Sequence, residues 1–413
     1  MTVYHKYCAA CESKELIKAL DLGTMPNANE FVYKKDLEKV KKYHLVYYWC
    51  KNCGLFQQIE LIDNKTLFQH NYTYKTGVNV PAIEHFKKIS RYLVKHINAN
   101  EFAIVIGSND GTEIKLLKDV GFKKVIGVEP ATNMAMIANK AGLQTVNSFF
   151  TNKLSKSLVN KYGKADLIVA NNVFAHITNP YDVLLGMKNL IKNDGKIVIE
   201  VQWFRDVLRK LSIDTLYSEH YYEWTTRAMI KLSDRVGLKL VKAIHLPNQQ
   251  GGSIRFILQF DGITDRKLEN IEQIDGVYNL DKILDMQNLV EKRRKKLVKL
   301  LTNLKSRRKK IVIWAVPAKV STILNLFNID SSLIDCAYDA TPTKIGRYIP
   351  GVGIEIKDED LLNPEMADRP DYIIIGAWNY LNYAMRKLKW FTDDGGKLIN
   401  LLNAKIISRS DKT

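Results

Sequence analysis

Long apolar runs are absent from this sequence. No stretch approaches the roughly 20 residues that a membrane-spanning helix requires. Residues 1–16 contain no apolar segment of the kind that signal peptides carry. We therefore expect a cytoplasmic protein that does not insert into a membrane. Hydrophobic residues make up 46% and charged residues 26% of the 413 positions, a balance typical of globular chains with roughly two to four domains.

Acidic residues are outnumbered by basic ones. The chain has 44 Asp and Glu against 62 Lys and Arg, which gives a net charge of +18. This balance favours an anionic partner, such as a nucleic acid, an anionic membrane surface or a phosphorylated small molecule. The densest basic run, residues 291–310, has apolar residues at helical spacing and no aromatic residue. We interpret it as an amphipathic connecting helix with a solvated basic face, and a helix that binds nucleic acid or phosphate is the alternative.

Only five cysteines occur, and four of them form two C-x2-C pairs, Cys8 with Cys11 and Cys50 with Cys53. In a chain without a secretion signal, paired C-x2-C motifs favour a metal site over disulfides. Four thiolates suit tetrahedral Zn2+, so we predict a structural zinc ion in a small N-terminal domain. Two unrelated buried pairs or a redox site are the alternatives. We interpret Cys336 as a small core residue.

Strand-like and helix-like segments alternate from residue 101 onward. Apolar strands are predicted at residues 102–106, 124–128, 166–170 and 196–200, and again after the basic run at residues 310–315, 333–338 and 372–376. Strands that alternate with helices predict parallel sheets with helical crossovers. The sequence therefore predicts two α/β domains that follow the cysteine-containing region.

A glycine-containing turn, Gly107-Ser108-Asn109-Asp110-Gly111, separates a predicted strand from a predicted helix. Glycines at this place allow the backbone to approach a ligand closely. The motif is a G-x-N-x-G variant of the glycine turn of nucleoside-binding methyltransferases. Glu129 lies 22 residues after Gly107, at the end of the next strand, where a carboxylate can accept both ribose hydroxyls of a nucleoside. The alternative is an ordinary tight turn and a helix-capping acid.

Further ordered blocks lie along nearly the whole chain. They are Leu20-Asp21-Leu22-Gly23, Pro26-Asn27-Ala28-Asn29, Gln57-Gln58, Gly127-Val128-Glu129-Pro130, Asn171-Asn172-Val173-Phe174-Ala175-His176, Tyr217-Ser218-Glu219-His220, Gly251-Gly252-Ser253-Ile254-Arg255, Pro317-Ala318-Lys319, Gly346-Arg347-Tyr348-Ile349-Pro350-Gly351 and Ala377-Trp378-Asn379-Tyr380. With these blocks and the cysteine pairs, the chain resembles the zinc-containing sugar C-methyltransferases that act on nucleotide-linked 4-keto-deoxysugars.

The resemblance implies a domain order. We expect a zinc-binding domain (residues 1–75), a central Rossmann-like class I methyltransferase domain that binds S-adenosylmethionine (76–264), a basic helical connector (265–308) and a C-terminal Rossmann-like α/β domain (309–413). The implied partner is a dTDP- or GDP-linked sugar. We expect no nucleic acid and no membrane partner, and a monomeric protein.

The chemistry of the family requires a base, hydrogen-bond donors and alignment. A 4-keto group acidifies the proton on the neighbouring C3, a base removes that proton, and the resulting enolate carbon attacks the sulfonium methyl group. We expect His220 to be the base, with Glu219 as its orienting group or as an alternative base. The donors to the sugar or enolate are expected to be Tyr217, His176 and either Tyr72 or Tyr74. For the cofactor, the resemblance adds Pro130, Asn171 and Asn172 to the glycine turn and Glu129.

The substrate contacts implied by the resemblance are Tyr222, Arg255, Lys319, Arg347 and Asn379. We hypothesise that the C-terminal domain holds the nucleotide end of the substrate, with Lys319, Arg255 and Arg347 as candidate diphosphate contacts, because guanidinium and ammonium groups pair well with phosphate. Two departures from the family pattern occur. Gln250 stands where the family usually has His before Gly-Gly-Ser, and the turn at residues 314–317 is bulkier than the glycine-rich family form, which puts a dinucleotide-like cofactor there in doubt.

Each candidate residue also has a structural interpretation. His176 fits a capping or core histidine, the aromatic segment 217–222 fits simple packing, and Tyr72 and Tyr74 fit one face of a sheet. Competing functions are O-methylation of a sugar or capsule precursor, RNA methylation and a non-catalytic binding module. Residues 171–174 lack the prolines of the N/D-P-P motif of base-methylating enzymes, which argues against an RNA substrate.

Overall fold

The computed structural model describes residues 2–69, 72–97 and 101–407. The chain folds into two compact units. The first comprises Met1–Lys18, Tyr47–Arg209 and Tyr221–Ile283, and the second comprises Ala19–Val46, Lys210–His220 and Leu284–Thr413. Among the described residues, no helix combines the length and the apolar character needed to cross a bilayer.

The regular elements are numbered in chain order. The strands are β1 Thr2–Tyr4, β2 Leu16–Pro26, β3 Lys42–Cys50, β4 Phe56–Gln57, β5 Glu60–Ile62, β6 Phe102–Ile106, β7 Lys124–Val128, β8 Thr145–Val146, β9 Ala165–Asn171, β10 Ile191–Gln202, β11 Tyr222–Glu223, β12 Lys239–Leu246, β13 Ser253–Gln259, β14 Ile311–Trp314, β15 Cys336–Asp339, β16 Ile356–Asp358, β17 Tyr372–Ile375, β18 Lys397–Asn400 and β19 Lys405–Ile407.

The helices follow the same numbering. They are α1 Asn64–Phe68, α2 Val80–His96, α3 Thr112–Asp119, α4 Thr132–Lys140, α5 Asn152–Tyr162, α6 Pro180–Leu190, α7 Phe204–Lys210, α8 Thr226–Val236, α9 Lys267–Ile274, α10 Leu280–Leu284, α11 Met286–Ser306, α12 Ala318–Phe327, α13 Leu381–Lys387 and α14 Lys389–Asp393. Short 3-10 helices lie at Lys34–Lys39, Thr76–Val78, Phe174–His176, Ile213–Thr215, Glu359–Leu361 and Trp378–Tyr380.

Two small sheets contain the N-terminal strands. One is the antiparallel pair β1–β5, and the other has the order β11–β4–β3–β2. In the second sheet, Gln57 of β4 pairs with Tyr48 of β3 on one side and with Tyr222 of β11 on the other. A short segment near residue 222 is thereby joined to the zinc-binding region within the first unit.

A seven-stranded sheet forms the centre of the first unit, in the order β12–β13–β10–β9–β6–β7–β8. Strands β10, β9, β6, β7 and β8 are parallel, β13 is antiparallel to β10, and β12 is antiparallel to β13, so β13 alone runs against the other six strands. Every residue of β6 and β9 is buried, as apolar runs covered on both faces require. The chain order reverses between β6 and β9, and ligands of open α/β sheets bind at the carboxyl ends of strands at such a point.

A six-stranded sheet forms the centre of the second unit, in the order β16–β15–β14–β17–β18–β19. All its pairings are parallel except that of β18 with β19. The chain order again reverses at β14, so this sheet is also doubly wound. The predicted α/β class with two Rossmann-like sheets is therefore confirmed.

The basic run forms most of helix α11. Its apolar residues Val290, Leu297, Leu301 and Leu304 are buried, while Lys292, Lys295 and Lys296 are exposed. This is the amphipathic helix with a solvated basic face that the periodicity predicts.

Candidate active site and zinc centre

The two cysteine pairs meet in the first unit. The Sγ atoms of Cys8, Cys11, Cys50 and Cys53 all lie within 4.8 Å of one another, with Cys8 and Cys53 3.5 Å apart and Cys11 and Cys50 3.6 Å apart. Four sulfurs bound tetrahedrally to zinc at their usual bond length lie about 3.8 Å from one another. The geometry therefore fits one Zn2+ ion held by four thiolates.

Each cysteine pair is shaped by the same turn. The N–H of Glu12 donates to the carbonyl of Cys8 over 2.9 Å, and the N–H of Gly54 donates to the carbonyl of Cys50 over 2.8 Å. Both donors have left-handed backbones, with φ of 59° for Glu12 and 74° for Gly54. The turns thereby present both sulfurs of each pair to the same point.

The glycine turn directly follows β6 and leads into α3. Gly107 has φ of 67°, and a Cβ atom there would lie 2.3 Å from Cγ2 of Val173, so no larger residue fits without movement. Gly111 also has a left-handed backbone, with φ of 84°. The loop is therefore shaped by backbone conformation and close packing, as a cofactor-binding turn requires.

Glu129 connects this loop to the end of β7. Its Oε2 accepts the N–H of Asn109 over 2.8 Å, and its Oε1 accepts the N–H of Ala131 over 2.8 Å. Burial raises the pKa of Glu129, and the two N–H donors oppose that rise. Each carboxylate oxygen keeps a further lone pair with which it can accept a ribose hydroxyl.

The side chains of the loop hold the segment that carries the candidate tyrosines. Asn109 accepts the N–H of Thr76 over 2.9 Å and donates to the carbonyl of Tyr74 over 3.1 Å. Asp110 accepts the N–H of Gly77 over 2.9 Å. The structure thus brings the Tyr72–Tyr74 segment to the glycine turn, which the sequence did not predict.

Tyr72 and His176 share an aromatic neighbour. The ring of Phe68 lies edge-to-face with both, at centroid distances of 5.6 Å from Tyr72 and 5.5 Å from His176. Both side chains are half-buried, whereas Tyr74 is 40% exposed. Within the first unit, Tyr72 is therefore the better placed tyrosine to act together with His176.

Two buried polar atoms beside the turn have no hydrogen-bond partner among the described residues. They are Oγ of Ser108 and Oδ1 of Asn171. A buried polar atom without a partner is costly, so such atoms indicate where a polar ligand is received. These atoms, the left-handed turn and Glu129 fit S-adenosylmethionine. Asn172 begins the next turn with φ of 56°, and Pro130 follows Glu129 at the end of β7.

A buried charge cluster lies between α2, α3 and the central strands. Glu113 accepts a bond from Nδ2 of Asn171 over 2.5 Å, and Glu200 pairs with Arg255 over 2.8 Å and with His85 over 2.6 Å. Burial raises the pKa of Glu113 to about 8, and the nearby Glu200 carboxylate adds to that rise. Arg255 is 5% exposed and paired within the sheet, so it is not kept as a diphosphate contact.

Tyr222 also has an internal role. It is 1% exposed, and its hydroxyl donates to the carbonyl of Thr178 over 3.1 Å. As part of β11 it pairs with Gln57. Packing therefore accounts for this residue, and it is not kept as a substrate contact.

In the second unit, Tyr217, Glu219 and His220 are all buried on the segment after the 3-10 helix Ile213–Thr215. The hydroxyl of Tyr217 lies 2.8 Å from Nε2 of His220. Burial and, secondly, the Lys319 ammonium lower the pKa of His220 to about 3. Its imidazole is therefore neutral at physiological pH, and a neutral ring can accept a proton.

Glu219 is oriented by a residue far away in sequence. Nδ2 of Asn29 lies 2.9 Å from Oε1 and 3.0 Å from Oε2 of Glu219. Burial raises the pKa of Glu219 to about 7, and the Asn29 bond opposes the rise. The sequence placed Asn29 in a family block but gave it no role.

Lys319, the second residue of α12, is 7% exposed. Its ammonium lies 5.6 Å from the ring centroid of Trp378, whose Nε1 donates to Oδ2 of Asp214 over 2.6 Å. The charge of Lys319 acts on both Asp214 and His220. Asp214, to which sequence reasoning assigned no role, therefore lies with the Lys319 ammonium beside the candidate segment 217–220.

Arg347 and Asn379 lie elsewhere in the second unit. NH1 of Arg347 donates to the carbonyl of Phe31 over 3.0 Å, and its guanidinium lies 5.0 Å from the ring centroid of Tyr33. That bond takes one of the five N–H donors of a guanidinium. Asn379 is half-buried in the 3-10 helix Trp378–Tyr380.

The C-terminal sheet has its own carboxylate at the end of its second strand. Asp339 accepts the N–H of Val316 over 2.7 Å and the N–H of Thr341 over 2.9 Å. Lys344 lies 3.3 Å from Oδ2 of Asp339. Ala315 begins the preceding turn with φ of 65°, so this turn has a left-handed residue but no glycine.

Three family models match successive parts of the chain. They are described as "Putative zinc binding domain" (residues 8–68), "Methyltransferase domain" (residues 85–243) and "C-methyltransferase C-terminal domain" (residues 248–402). The C-methyltransferase NovU of Streptomyces niveus is 26% identical over 404 residues, which cover 95% of this chain and 94% of that protein.

Solved methyltransferase structures are similar over part of the chain. The plantazolicin methyltransferase BpumL in complex with SAH is 13% identical and covers 43% of this chain and 83% of its own, with a TM-score of 0.34. The magnesium protoporphyrin IX methyltransferase ChlM of Synechocystis PCC 6803, with bound SAH, is 14% identical over 43% of this chain and 83% of its own, with a TM-score of 0.34.

The family matches agree with the two sites described above. The glycine turn and Glu129 are features of a methyltransferase that uses S-adenosylmethionine, and the four cysteine sulfurs are those of a zinc site. The three matches follow one another over most of the sequence, and NovU is similar from end to end. The chain is therefore an S-adenosylmethionine-dependent C-methyltransferase with a zinc-binding domain.

Proposed function

We propose that the protein methylates a carbon, expected to be C3, of a nucleotide-linked 4-keto-deoxysugar in deoxysugar biosynthesis. The observation that carries this proposal is the buried pair of Tyr217 and His220, whose O and Nε2 atoms lie 2.8 Å apart, on the same segment as Glu219. Methylation of a carbon requires a base that removes a proton from that carbon, and a buried, neutral histidine can be such a base. O-methylation does not require an acidic C–H bond.

His220 is the proposed proton acceptor. Because its pKa is lowered to about 3, the imidazole is neutral at physiological pH. Such a group holds a proton weakly when alone. The negative enolate formed beside it would stabilise the imidazolium, which offsets this weakness.

The other groups have supporting roles in this proposal. The Tyr217 hydroxyl fixes the position of the His220 ring and can donate to the enolate oxygen as charge develops there. His176 and Tyr72 are the proposed donors from the first unit. S-adenosylmethionine, when bound, supplies an electrophilic methyl group, and the glycine turn, Glu129 and Asn171 would hold it.

We further propose that the second unit holds the nucleotide end of the substrate. Lys319 and Arg347 are the candidate diphosphate contacts, and Asn379 is a candidate polar contact. A cationic side chain with N–H donors recognises phosphate oxygens well. Arg347→Ala is expected to raise the KM for the nucleotide sugar with little change in kcat, and an unchanged KM would remove Arg347 from this role.

The test is a mass-spectrometric assay with S-adenosylmethionine in D2O. The acceptors are dTDP- and GDP-linked 4-keto-6-deoxysugars, each paired with the matching 4-hydroxy sugar. The expected result is gain of one methyl group and loss of the C3 proton on a keto sugar only, with S-adenosylhomocysteine formed. Methylation of the 4-hydroxy sugar would show O-methylation instead. If the protein binds S-adenosylmethionine but methylates none of these sugars, the proposed sugar substrate is wrong and RNA is the next substrate to test.

A further inference from the structure

The block Pro26–Asn29 lies against the catalytic segment within the second unit. Oγ of Ser218 donates to Oδ1 of Asn27 over 3.1 Å. Ala28 is buried in one cluster with Tyr217 and Ala318. Asn29 donates to Glu219. Three consecutive residues of the block thereby contact three consecutive residues of the segment.

The contact between Asn29 and Glu219 is the polar centre of this arrangement. One amide nitrogen lies within 3.0 Å of both carboxylate oxygens, and the Glu219 side chain is 1% exposed. A nearly symmetrical bond of this kind fixes the plane of the carboxylate as well as its position. It also favours the ionised form, because an amide N–H is a better partner for a carboxylate than for a neutral acid.

We propose that Asn29 is a positioning residue for the methyl transfer, because its side-chain amide holds the Glu219 carboxylate in one orientation. This inference rests on the proposed function, since it assumes that the segment of Tyr217, Glu219 and His220 carries the chemistry. Asn29 acts through Glu219, and nothing in the proposal requires it to touch the substrate.

Titratable and charged groups lie near Glu219 in addition to the Asn29 amide. On its own segment it has the neighbours Tyr217 and His220, and the segment is approached by Lys319 from α12 and by Asp214 from the 3-10 helix Ile213–Thr215. Burial raises the pKa of Glu219 to about 7, and the Asn29 bond opposes that rise. Loss of the amide should therefore raise that pKa further.

The first test needs no substrate. The carboxyl carbons of glutamate are labelled with 13C in the full chain with its zinc, and Glu219 is assigned by comparison with Glu219→Gln. Asn29→Ala should raise the pKa of Glu219 by about one unit, the effect of losing one hydrogen bond to a charged group. Asn29→Asp keeps the shape but sets two carboxylates face to face, so it should raise the pKa more.

The second test is the pH dependence of turnover. If Glu219 must be ionised, a pKa that moves from 7 to 8 lowers the active fraction at pH 7 from about one half to about one tenth. Asn29→Ala should then lose roughly five-fold in kcat at pH 7 and recover most of it by pH 9. Asn303→Ala, which removes an exposed amide from α11, is the matched control and should leave the profile unchanged.

The outcomes separate the two proposals. An unchanged Glu219 titration in folded Asn29→Ala and Asn29→Asp would overturn the role of Asn29, whatever the substrate is. A raised pKa without a shift of the pH–rate profile would overturn its part in the reaction. Absence of turnover by the wild type on every keto sugar would count against the proposed function, and the substrate-free titration would still decide whether Asn29 controls Glu219.

Discussion

The hydroxyl of Tyr217 lies 2.8 Å from Nε2 of His220, and the two rings are 4.1 Å apart at their centroids. At neutral pH the imidazole carries no charge, because burial and the Lys319 ammonium lower its pKa. A neutral ring accepts one hydrogen bond and donates another. The tyrosine can therefore select the tautomer of the histidine, which is the property that a general base must have fixed.

Removal of the proposed base should nearly abolish turnover. We expect His220→Asn to lower kcat by about 100-fold to 10,000-fold, the usual contribution of a positioned general base. Tyr217→Phe, which keeps the ring, should cost about ten-fold. Both variants should still bind S-adenosylmethionine, measured by calorimetry. A His220→Asn enzyme within three-fold of the wild type would show that another group takes the proton.

The pH dependence of kcat should come from Glu219. Its pKa is raised to about 7, whereas that of His220 is lowered to about 3, so of these two neighbouring groups Glu219 is the one that titrates near pH 7. If the ionised form is active, kcat rises with pH through about 7 and then levels off. Glu219→Gln should remove this acidic limb. A limb that persists in Glu219→Gln would assign it to a different group.

Glu129 should matter for the cofactor. We expect Glu129→Gln to weaken S-adenosylmethionine binding by about 10-fold to 100-fold, because it replaces a charged acceptor of ribose hydroxyls. Glu101→Gln, in an exposed pair with Lys123 at the start of β6, is the matched control and should bind normally. Equal affinities of the two variants in calorimetry would contradict the assigned role of Glu129.

Stability should depend on pH through Glu113. Its folded-state pKa of about 8 lies above the ordinary value near 4.3, so between these values the folded state holds a proton that the unfolded state releases. Stability therefore falls as pH rises, by on the order of 1 kcal/mol per pH unit for this group. Glu113→Gln removes that fall and can still accept the bond from Asn171. In thermal unfolding, the stability of Glu113→Gln relative to the wild type should increase from pH 5 to pH 8. A stability difference that does not change with pH would contradict the raised pKa of Glu113.

Two glycines with the same backbone angle provide a matched pair. Gly23 and Gly54 both have φ of 74°, but a Cβ atom at Gly23 meets nothing within 4 Å, whereas at Gly54 it lies 2.5 Å from Cε1 of Tyr278. The hydroxyl of Tyr278 is bonded to Glu272, which limits how far the ring can move. Gly23→Ala should cost about 1 kcal/mol of unfolding free energy. Gly54→Ala should cost about 1–3 kcal/mol more, and equal costs would mean that the ring moves freely.

Strands were predicted correctly where the whole apolar run is buried in the sheet. The predicted strands at residues 102–106 and 124–128 match β6 and β7 residue for residue. The strand predicted at residues 333–338 begins only at Cys336, because the N–H groups of Leu333 and Ile334 both bond to the carbonyl of Asp330 in a turn. Hydrophobic pattern alone does not reveal such a turn.

The sequence motifs identified which segments contain candidate site residues, but they did not predict which of those residues contact one another. Asn29 and Glu219 are 190 positions apart, and no local pattern links them. Arg255 was expected at the diphosphate, but the sheet register places it opposite Glu200. Register depends on the pairing of whole strands, so the partner of a charged residue inside a strand cannot be read from its neighbours in sequence.

The carboxylates of Glu129 and Asp339 have the same structural role in their two sheets. Each accepts one N–H from the loop after the preceding strand, Asn109 or Val316, and one from the residue two positions after itself, Ala131 or Thr341, and so joins two loops at one sheet edge. Since the same pair of hydrogen bonds occurs in both sheets, a carboxylate at the end of the second strand of each sheet stabilises the loops whether or not a cofactor binds there. In the first sheet these bonds support a turn shaped by Gly107 and Gly111, whereas in the second they support a turn that begins with Ala315 and contains no glycine.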